Sequence, residues 1–581
     1  MNIPIAPSTM TTPIRSTVGE PSFADAIAFI DRDENLPEDR KRHWTTSLRQ
    51  MAGYLDKPAE VIPARIGAIQ GDVNKLHPER LNLNPKTFAN HRSNVRAALL
   101  WFNRQTQGTG RNAPMTTHYR ALLKLVPDRH NRDSLSPFFR FLSAFDVAPV
   151  DVNDSSLEGY AAFRAQTRFR KVKNADLRRL ARIWNAQASS LEAWPDQQLT
   201  VPARAATTSG PALEEFPAGL LVDMESYFAS LTRSRRDPHS GRRLKACKQI
   251  TIDMRRRELV AAIRTGVSAG IPLDQIDSLS ALLAPHHIEK IIDAYWTKNG
   301  QRPALYTIEL AWRFLTMARA LGLDDDTVEA LEDLHFALGE HRPKGLTEKN
   351  RVIVRAVLQG DLRRKVIDLP TRMMAEARAG LASQPVKARV TAHLAVAIRI
   401  LMFAPVRINN LASIRLGINL VRPGGPNSPY LLTFPDYDVK NNVPLEFPLD
   451  PETTSIIDDY IRLHRYGGMN GHDHDYLFPG KAHDQKLTRG LGEQISARLW
   501  KMLGVRITPH QFRHAAAAIM LRADPGNYEF VRRVLGHRNI QTTTAFYVGL
   551  ETTQASERYA KILLAGAGKC PDTTRGRREH G

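Results

Sequence analysis

The sequence predicts a mainly α-helical protein that ends in a mixed α+β domain with a small antiparallel sheet. From residue 23 onward, apolar residues recur three and four positions apart, the period of one face of an α-helix. Residues 430–449, YLLTFPDYDVKNNVPLEFPL, instead suggest two strands joined at Lys440-Asn441-Asn442. At 581 residues the chain is too long for one hydrophobic core, so several domains are expected.

Composition and charge narrow the class of partner. Lys and Arg number 81 against 60 for Asp and Glu, a formal net charge of +21. This excess predicts a polyanion partner, nucleic acid before a membrane surface, although a merely basic soluble protein has the same composition. No apolar run reaches the ~18 residues of a membrane span, and the N-terminus lacks the apolar core of a signal peptide. With only two cysteines we expect no disulfide framework and a cytoplasmic protein.

Shifts in composition divide the chain into six parts. We expect a disordered lead at residues 1–20, followed by two helical modules at 21–110 and 111–200. A third helical domain is expected at 215–340, the α+β domain at 346–565 and a basic tail at 566–581. The joints are GTGRNAP, a Pro-, Thr-, Ser- and Ala-containing linker, and EHRPKG. Ten Arg and Lys residues within 233–257 suggest phosphate contact, with a solvated charged face as the equal alternative.

One block near the C-terminus, residues 508–549, holds His510, Arg513, His537 and Tyr547. Thr508 and Pro509 are suited to begin a helix, which places His510 and Arg513 on one face near its positive end. Two cationic groups beside free amides predict an anion site, for which a phosphate diester is the obvious ligand. A second helix is expected to stop at Gly536 and to release His537. The run 542–544 of three threonines is expected to cap a short segment that carries Tyr547.

Two further residues are candidates for the same chemistry. Arg407 lies within APVRINNLASIRL. Its apolar neighbours predict a buried helix pair around one charge, and they are Leu401, Phe403, Val406, Leu411 and Ile414. A buried arginine needs an anionic partner, which is either a ligand or a structural salt bridge. Lys440 lies at the predicted strand turn, where an exposed lysine ordinarily only adds solubility.

The ordered set HxxR, LGH, threonine-rich turn and tyrosine, preceded by the Arg407 segment, resembles the tyrosine recombinases, the phage integrase family. The resemblance implies a catalytic domain at 346–565 and a core-binding-like DNA-binding domain at 215–340. It also implies a homo-tetramer on two synapsed double-stranded DNA sites, possibly with other recombinase subunits. Residues 551–565 are the candidate for a helix exchanged between protomers. Residues 1–215 are expected to form a further DNA-binding module or a surface for partner proteins. Deleting residues 1–210 and measuring binding to core and flanking DNA would separate the two.

The resemblance also assigns a role to each candidate. Tyr547 would attack the scissile phosphate and form a 3′-phosphotyrosine bond. The guanidinium groups of Arg407 and Arg513 would hold the non-bridging oxygens. Lys440 would protonate the leaving 5′ oxygen, and His510 would accept the tyrosine proton. His537 would donate a further hydrogen bond to the phosphate. Neither a cofactor nor a metal is required. A zinc site built from His464, His472, His474 and His483 is the weaker reading of a polar surface loop.

Two departures from the family pattern stand out. Asn410 occupies a position where many members carry an acidic residue. His537 and Tyr547 are ten positions apart rather than the usual nine, which an extra threonine lengthening the turn at 542–544 would explain. The predicted function is a site-specific recombinase, either an integrase or a transposon recombinase. The alternative of a different class is a non-catalytic DNA-binding accessory subunit of a recombination complex.

Overall fold

The protein is described by a computed structural model that covers residues 20–564. Within that range, gaps lie at 108–113, 171, 204–209, 237–240, 242, 303, 343–344, 359–360, 466–474, 481–489, 548–555 and 557–558. The described residues are mainly helical with two small antiparallel sheets, which confirms the predicted fold class. They form two compact units, divided between Ser209 and Gly210. No helix among them is long and apolar enough to cross a membrane.

The first unit contains two helical cores. Its helices are α1 (Phe23–Arg32), α2 (Glu38–Tyr54), α3 (Ile66–Val73), α4 (Pro85–Gln107), α5 (Thr117–Leu125), α6 (Arg129–Ala144), α7 (Asp154–Thr167) and α8 (Asn174–Ala188). Helices α1–α4 bury residues such as Phe23 and Leu99, whereas α5–α8 pack around Phe138 and Trp184. The cores are joined by hydrogen bonds, including one of 2.6 Å from Gln70 Nε2 to the carbonyl oxygen of Arg168. The first unit therefore has two cores, and Phe169, which follows α7 in the chain, packs in the core of α1–α4.

The second unit begins with a helical part that has its own core. Its elements are α9 (Ala218–Ser230), β1 (Arg235–Arg236), β2 (Arg243–Leu244), α10 (Gln249–Ser268), α11 (Leu279–Leu282), α12 (Pro285–Lys298), α13 (Leu305–Leu321) and α14 (Asp325–Glu340). The predicted basic stretch is not uniform. Arg256 forms an ion pair with Glu225 and lies 4.8 Å from the ring centroid of Phe228, so it stabilises the fold. Most of the other described basic residues of this stretch are exposed, including Arg236 and Arg243.

The rest of the second unit is built around one long buried helix and a three-stranded sheet. The helices are α15 (Glu348–Leu358), α16 (Leu362–Ala379), α17 (Pro385–Phe403), α18 (Ile408–Ala412), α19 (Pro451–Tyr460), α20 (Leu491–Leu503), α21 (Pro509–Ala523), α22 (Tyr528–Leu535) and α23 (Ile540–Tyr547). The strands are β3 (Leu420–Val421), β4 (Leu431–Phe434) and β5 (Leu445–Pro448), antiparallel in that order. Every residue from 394 to 401 in α17 is buried, so this helix forms the centre of the core.

The structure corrects two details of the sequence prediction in this region. The antiparallel pair is confirmed, with Leu432 opposite Phe447. The segment 437–439, however, is not strand, because Asp436–Asp438 forms a 3-10 turn within a longer connection. Phe403 was expected in the apolar frame of Arg407 but is exposed, and the guanidinium of Arg399 lies 4.5 Å from its ring centroid. The connection between β4 and β5 is therefore a loop that contains a 3-10 turn.

Candidate active site

Helix α21 begins at the site, and local capping fixes its start. The side chain of Thr508 accepts from the N–H of Gln511, and Gln511 Oε1 accepts from the N–H of Thr508 at 2.9 Å. Pro509 occupies the first helical position, as predicted. His510 then lies exposed at the surface, whereas Arg513, one turn further, is only 3% exposed. The helix thus carries one candidate at the surface and one inside the protein.

Arg513 connects two separate segments of the chain. Its guanidinium donates to the carbonyl oxygen of Leu535 at 2.6 Å and to that of Pro405. Leu535 ends α22, where the free carbonyls carry partial negative charge, and Pro405 precedes α18. Both contacts are to neutral groups, so the arginine keeps an unneutralised charge. Burial and the positive charge of Arg407 lower the pKa of Arg513 to about 10, which still leaves it protonated near neutral pH.

Arg407 supplies the second positive charge. It lies immediately before α18 and is half buried, and burial lowers its pKa. Its Nη1 atom is buried and, within the described part of the chain, has no hydrogen-bond partner. No described carboxylate forms an ion pair with Arg407 or Arg513. Two neighbouring cations without a counter-charge favour an anionic ligand over the salt bridge that the sequence left open.

His537 follows the end of α22 as predicted. Gly536 adopts the left-handed conformation, with φ 59°, that terminates the helix. His537 Nδ1 lies 2.9 Å from Thr543 Oγ1, and the residue is buried. Burial and then the charges of Arg513 and Arg407 lower the pKa of His537 to about 4. The imidazole is therefore neutral at neutral pH, so one of its ring nitrogens donates a hydrogen bond and the other accepts one.

Tyr547 lies at the end of α23 and is 2% exposed. Its phenol oxygen is 2.9 Å from His514 Nδ1. Burial raises the pKa of Tyr547 to about 12, although the charge of Arg513 acts in the opposite direction. The phenol is thus protonated at neutral pH and needs a group that removes its proton before it can act as a nucleophile.

His514 was not among the candidates predicted from the sequence. It follows Arg513 directly and lies one helical turn after His510, with the two imidazole centroids 4.5 Å apart. The i, i+4 spacing of two histidines was visible in the sequence and would have placed them side by side. The contact with Tyr547 was not visible, because it requires α23 to return against α21.

The threonine run was predicted wrongly. Residues 542–544 lie inside α23, which begins at Ile540, and so they neither cap a segment nor lengthen a turn. The side chain of Asn539 accepts from the N–H of Gln541 at 3.1 Å and caps the helix instead. Thr543 is fully buried and contacts His537, and Tyr547 lies four positions later on the same face. The ten-residue step therefore consists of a short connection and α23, and Thr543 contacts His537 from this helix.

The loop that carries Lys440 is held on both sides by amide side chains. Asn410 Nδ2 donates to the carbonyl oxygen of Asp438 at 3.2 Å, and Asn441 Nδ2 donates to that of Gly536 at 2.8 Å. Lys440 itself is exposed. The loop therefore lies between α18, which follows Arg407, and the turn before His537. Asn410, the departure from the family's acidic residue, acts here as a hydrogen-bond donor, a role that a carboxylate cannot fill.

Other sequence candidates are only partly placed. Within the described part of the chain, no group of three His, Cys, Asp or Glu residues could hold a metal ion. His464 is buried, but His472, His474 and His483 lie outside the described residues, as do most of residues 551–565. The possible zinc loop and the exchanged helix therefore stay predictions.

The sequence of this region matches that of a known family. Residues 372–553 match the profile described as the phage integrase family, a span that includes Arg407, the Lys440 loop and Tyr547. The match covers 182 of the 581 residues, so it assigns this region, and not the whole chain, to the phage integrase family. Because the match starts within α16, it concerns the second unit and gives no information on the first.

Curated relatives are similar to this chain over short stretches. A putative tyrosine recombinase XerC of Pseudomonas aeruginosa is 33% identical over 75 residues, which are 13% of this chain and 18% of that protein. One of Pseudomonas syringae is 26% identical over 152 residues, 25% of this chain and 30% of that protein. The chain therefore spans less than a third of either relative. A solved structure of the Tn1549 transposon integrase with circular intermediate DNA aligns with 58% of this chain and 99% of its own at 16% identity, but the TM-score is only 0.32.

The register of α23 gives a testable prediction about this site. Deleting Thr544 restores the usual nine-residue step but rotates the tyrosine by about 100° and shifts it by about 1.5 Å along the helix. We expect single-turnover covalent cleavage of DNA to fall at least about 100-fold, since a misplacement of this size costs that much. Thr544→Ala, which keeps the length, is the control and should cleave like the unchanged chain. Full activity of the deletion variant would show that Thr543 does not set the register.

Proposed function

We propose that the protein is a site-specific DNA recombinase, an integrase or transposon recombinase, that cleaves and rejoins DNA through a 3′-phosphotyrosine intermediate. The observation that carries the proposal is a buried tyrosine close to Arg513, which in turn lies close to Arg407, with no carboxylate partner for either arginine in the described chain. Such a site suits a phosphate diester, whose charge would offset that of the guanidinium groups. The family match of residues 372–553 points in the same direction.

The proposed reaction is a transesterification at phosphorus. The phenol oxygen of Tyr547 bonds to phosphorus, and the bond from phosphorus to the 5′ oxygen breaks. Arg407 and Arg513 hold the non-bridging oxygens and stabilise the charge that builds on them in the transition state. Lys440 is proposed to protonate the departing 5′ oxygen. Reversal with the 5′ hydroxyl of another strand then rejoins the DNA.

The histidines are proposed to complete the phosphate site. His537 is neutral near pH 7, since its pKa is lowered to about 4, and it can donate a single hydrogen bond to a phosphate oxygen. Although His510 is exposed, partial removal of its ring from solvent, then the charges of Arg513 and Arg407, also lower its pKa. Two neutral imidazoles beside two charged guanidiniums leave the site positive without requiring four adjacent charges. The residues in these roles need neither a metal nor a nucleotide cofactor.

Trapping the intermediate tests the proposal. A duplex is first selected from a random-sequence pool by its retention on the full-length protein. It is then nicked close to the cleavage position, so that the released short oligonucleotide diffuses away and prevents rejoining. We expect a denaturation-resistant complex that carries a label placed at the 5′ end of the cleaved strand, because that part of the strand stays bonded to the tyrosine through its 3′ phosphate. Digestion and mass spectrometry should then place the nucleotide on Tyr547.

Two outcomes would contradict the proposal. An adduct mapped to Tyr528 or Tyr559 would overturn the assignment of the nucleophile. Specific binding without any adduct would favour the non-catalytic accessory subunit.

Sedimentation of the bound, uncleaved complex would show whether the predicted four protomers assemble on two duplexes.

A further inference from the structure

The phenol of the proposed nucleophile contacts one imidazole, and it is not the one that the family resemblance assigns. His514 Nδ1 is 2.9 Å from Tyr547 Oη, and the two rings meet nearly edge to face with centroids 5.7 Å apart. In the described part of the chain, Tyr547 has no hydrogen bond to His510. His510 is exposed, whereas His514 is 3% exposed.

We propose that His514, and not His510, accepts the proton of Tyr547 when the tyrosine attacks phosphorus. This inference rests on the proposed function, because it assigns a role within that reaction. With the ring proton on Nε2, Nδ1 of His514 accepts the phenol O–H. As the oxygen–phosphorus bond forms, the O–H bond breaks and its proton moves to Nδ1, making an imidazolium. The bond from phosphorus to the 5′ oxygen breaks with its electron pair on that oxygen, and the proton returns to the phenol oxygen on rejoining.

The surroundings of His514 suit a proton acceptor. The groups that face it are His510 and Arg513 on its own helix, His537 after α22, and Tyr547 and Phe546 on α23. Burial, followed by His510, Arg513 and His537, lowers the pKa of His514 to about 4. The imidazole is therefore unprotonated near neutral pH, and because so low a pKa makes it a weak base, it needs a nearby anion before it can take up a proton. The nearby scissile phosphate would stabilise the imidazolium, which has no described carboxylate beside it.

His510 differs in ways that suit contact with substrate. It lies in the first turn of α21, exposed, beside helix amides that attract anions. Its edge-to-face contact with His514 also fixes the orientation of the buried ring. The two histidines therefore have different roles: His510 contacts the phosphate, and His514 contacts the phenol.

A pair of variants separates proton transfer from simple positioning. His514→Asn places an amide near the position of Nδ1, so it keeps a hydrogen-bond acceptor but loses the basic nitrogen. We expect the rate of adduct formation on the nicked duplex to fall about 100-fold at pH 7.5, within the range typical of lost general base catalysis. DNA binding and thermal unfolding should match those of the unchanged chain. His514→Gln is the second variant if the asparagine variant does not fold.

Two readouts would not respond if His514 only positioned Tyr547. Trifluorotyrosine at position 547 ionises at much lower pH, so it should restore most of the rate in His514→Asn and little in His510→Asn. The rate of His514→Asn should also rise about tenfold per pH unit between pH 7 and 9, because the phenol must ionise before attack. An unchanged rate in His514→Asn, or a loss that trifluorotyrosine does not restore, would overturn the inference. An unchanged chain that forms no adduct would instead count against the proposed function.

Discussion

A Tyr547→Phe chain is expected to bind the nicked duplex as tightly as the unchanged protein and to form no covalent adduct. Phenylalanine retains the ring that packs in the buried cluster with Leu346 and Val354. Only the phenol oxygen is lost, and with it one hydrogen bond to His514, which costs about 1 kcal/mol of stability. The fold should therefore persist while the attacking atom is gone. Denaturing electrophoresis of end-labelled DNA measures the adduct, and circular dichroism checks the fold.

The neighbouring tyrosines provide matched controls for this experiment. Tyr528 begins α22, and Tyr559 is largely exposed beyond the end of α23. Their phenylalanine variants lose the same atom elsewhere and should form the adduct at the normal rate. An adduct that persists in Tyr547→Phe, or that disappears in either control, would show that the nucleophile has been misassigned.

Arg513→Met should affect both chemistry and stability. Methionine fills a similar volume but donates no hydrogen bonds, so the carbonyl groups of Leu535 and Pro405 lose their donor. Each buried acceptor left unsatisfied costs about 1–3 kcal/mol, so with two of them the free energy of unfolding should fall by about 2–6 kcal/mol. The transition state also loses a charged donor, for which we expect a rate loss of about 10³-fold. Denaturant titration and single-turnover cleavage measure the two effects separately.

Two companion variants sharpen the Arg513 prediction. Arg513→Lys keeps the charge, but a single ammonium does not reproduce the planar fork that reaches both carbonyls, so most of both losses should remain. Arg364→Met on α16 removes a largely exposed arginine of the same domain and should change neither quantity. Normal cleavage by Arg513→Met would exclude this side chain from the phosphate site.

Local chemistry explains which parts of the site could be predicted from sequence. The start of α21 depends on Thr508 and Pro509, and the end of α22 depends on Gly536, so each is determined by neighbouring residues. The mainly helical fold and the strand pair on either side of Lys440 are likewise periodic signals. These features were predicted correctly because a few adjacent residues suffice to produce them.

The contacts that organise the site are long-range and were not predicted. His514 meets Tyr547 across 33 positions, and Asn441 meets Gly536 across 95. No periodicity or capping rule encodes such pairs, since they depend on how separate helices pack. The threonine run failed for a related reason. Three threonines are poor helix formers on their own, but Asn539 caps the helix and Thr543 is buried against His537.

The amide contacts of the Lys440 loop have a consequence for the conditions under which the site stays assembled. Asn410 and Asn441 are neutral at every pH that the protein tolerates, and their bonds to carbonyl groups are not screened by dissolved ions as a carboxylate's would be. The proposed association with DNA would, in contrast, weaken steeply as the salt concentration rises, because cations compete with the protein for the phosphates. Ionic strength is therefore expected to change the affinity for DNA while leaving the two amide contacts of the Lys440 loop in place.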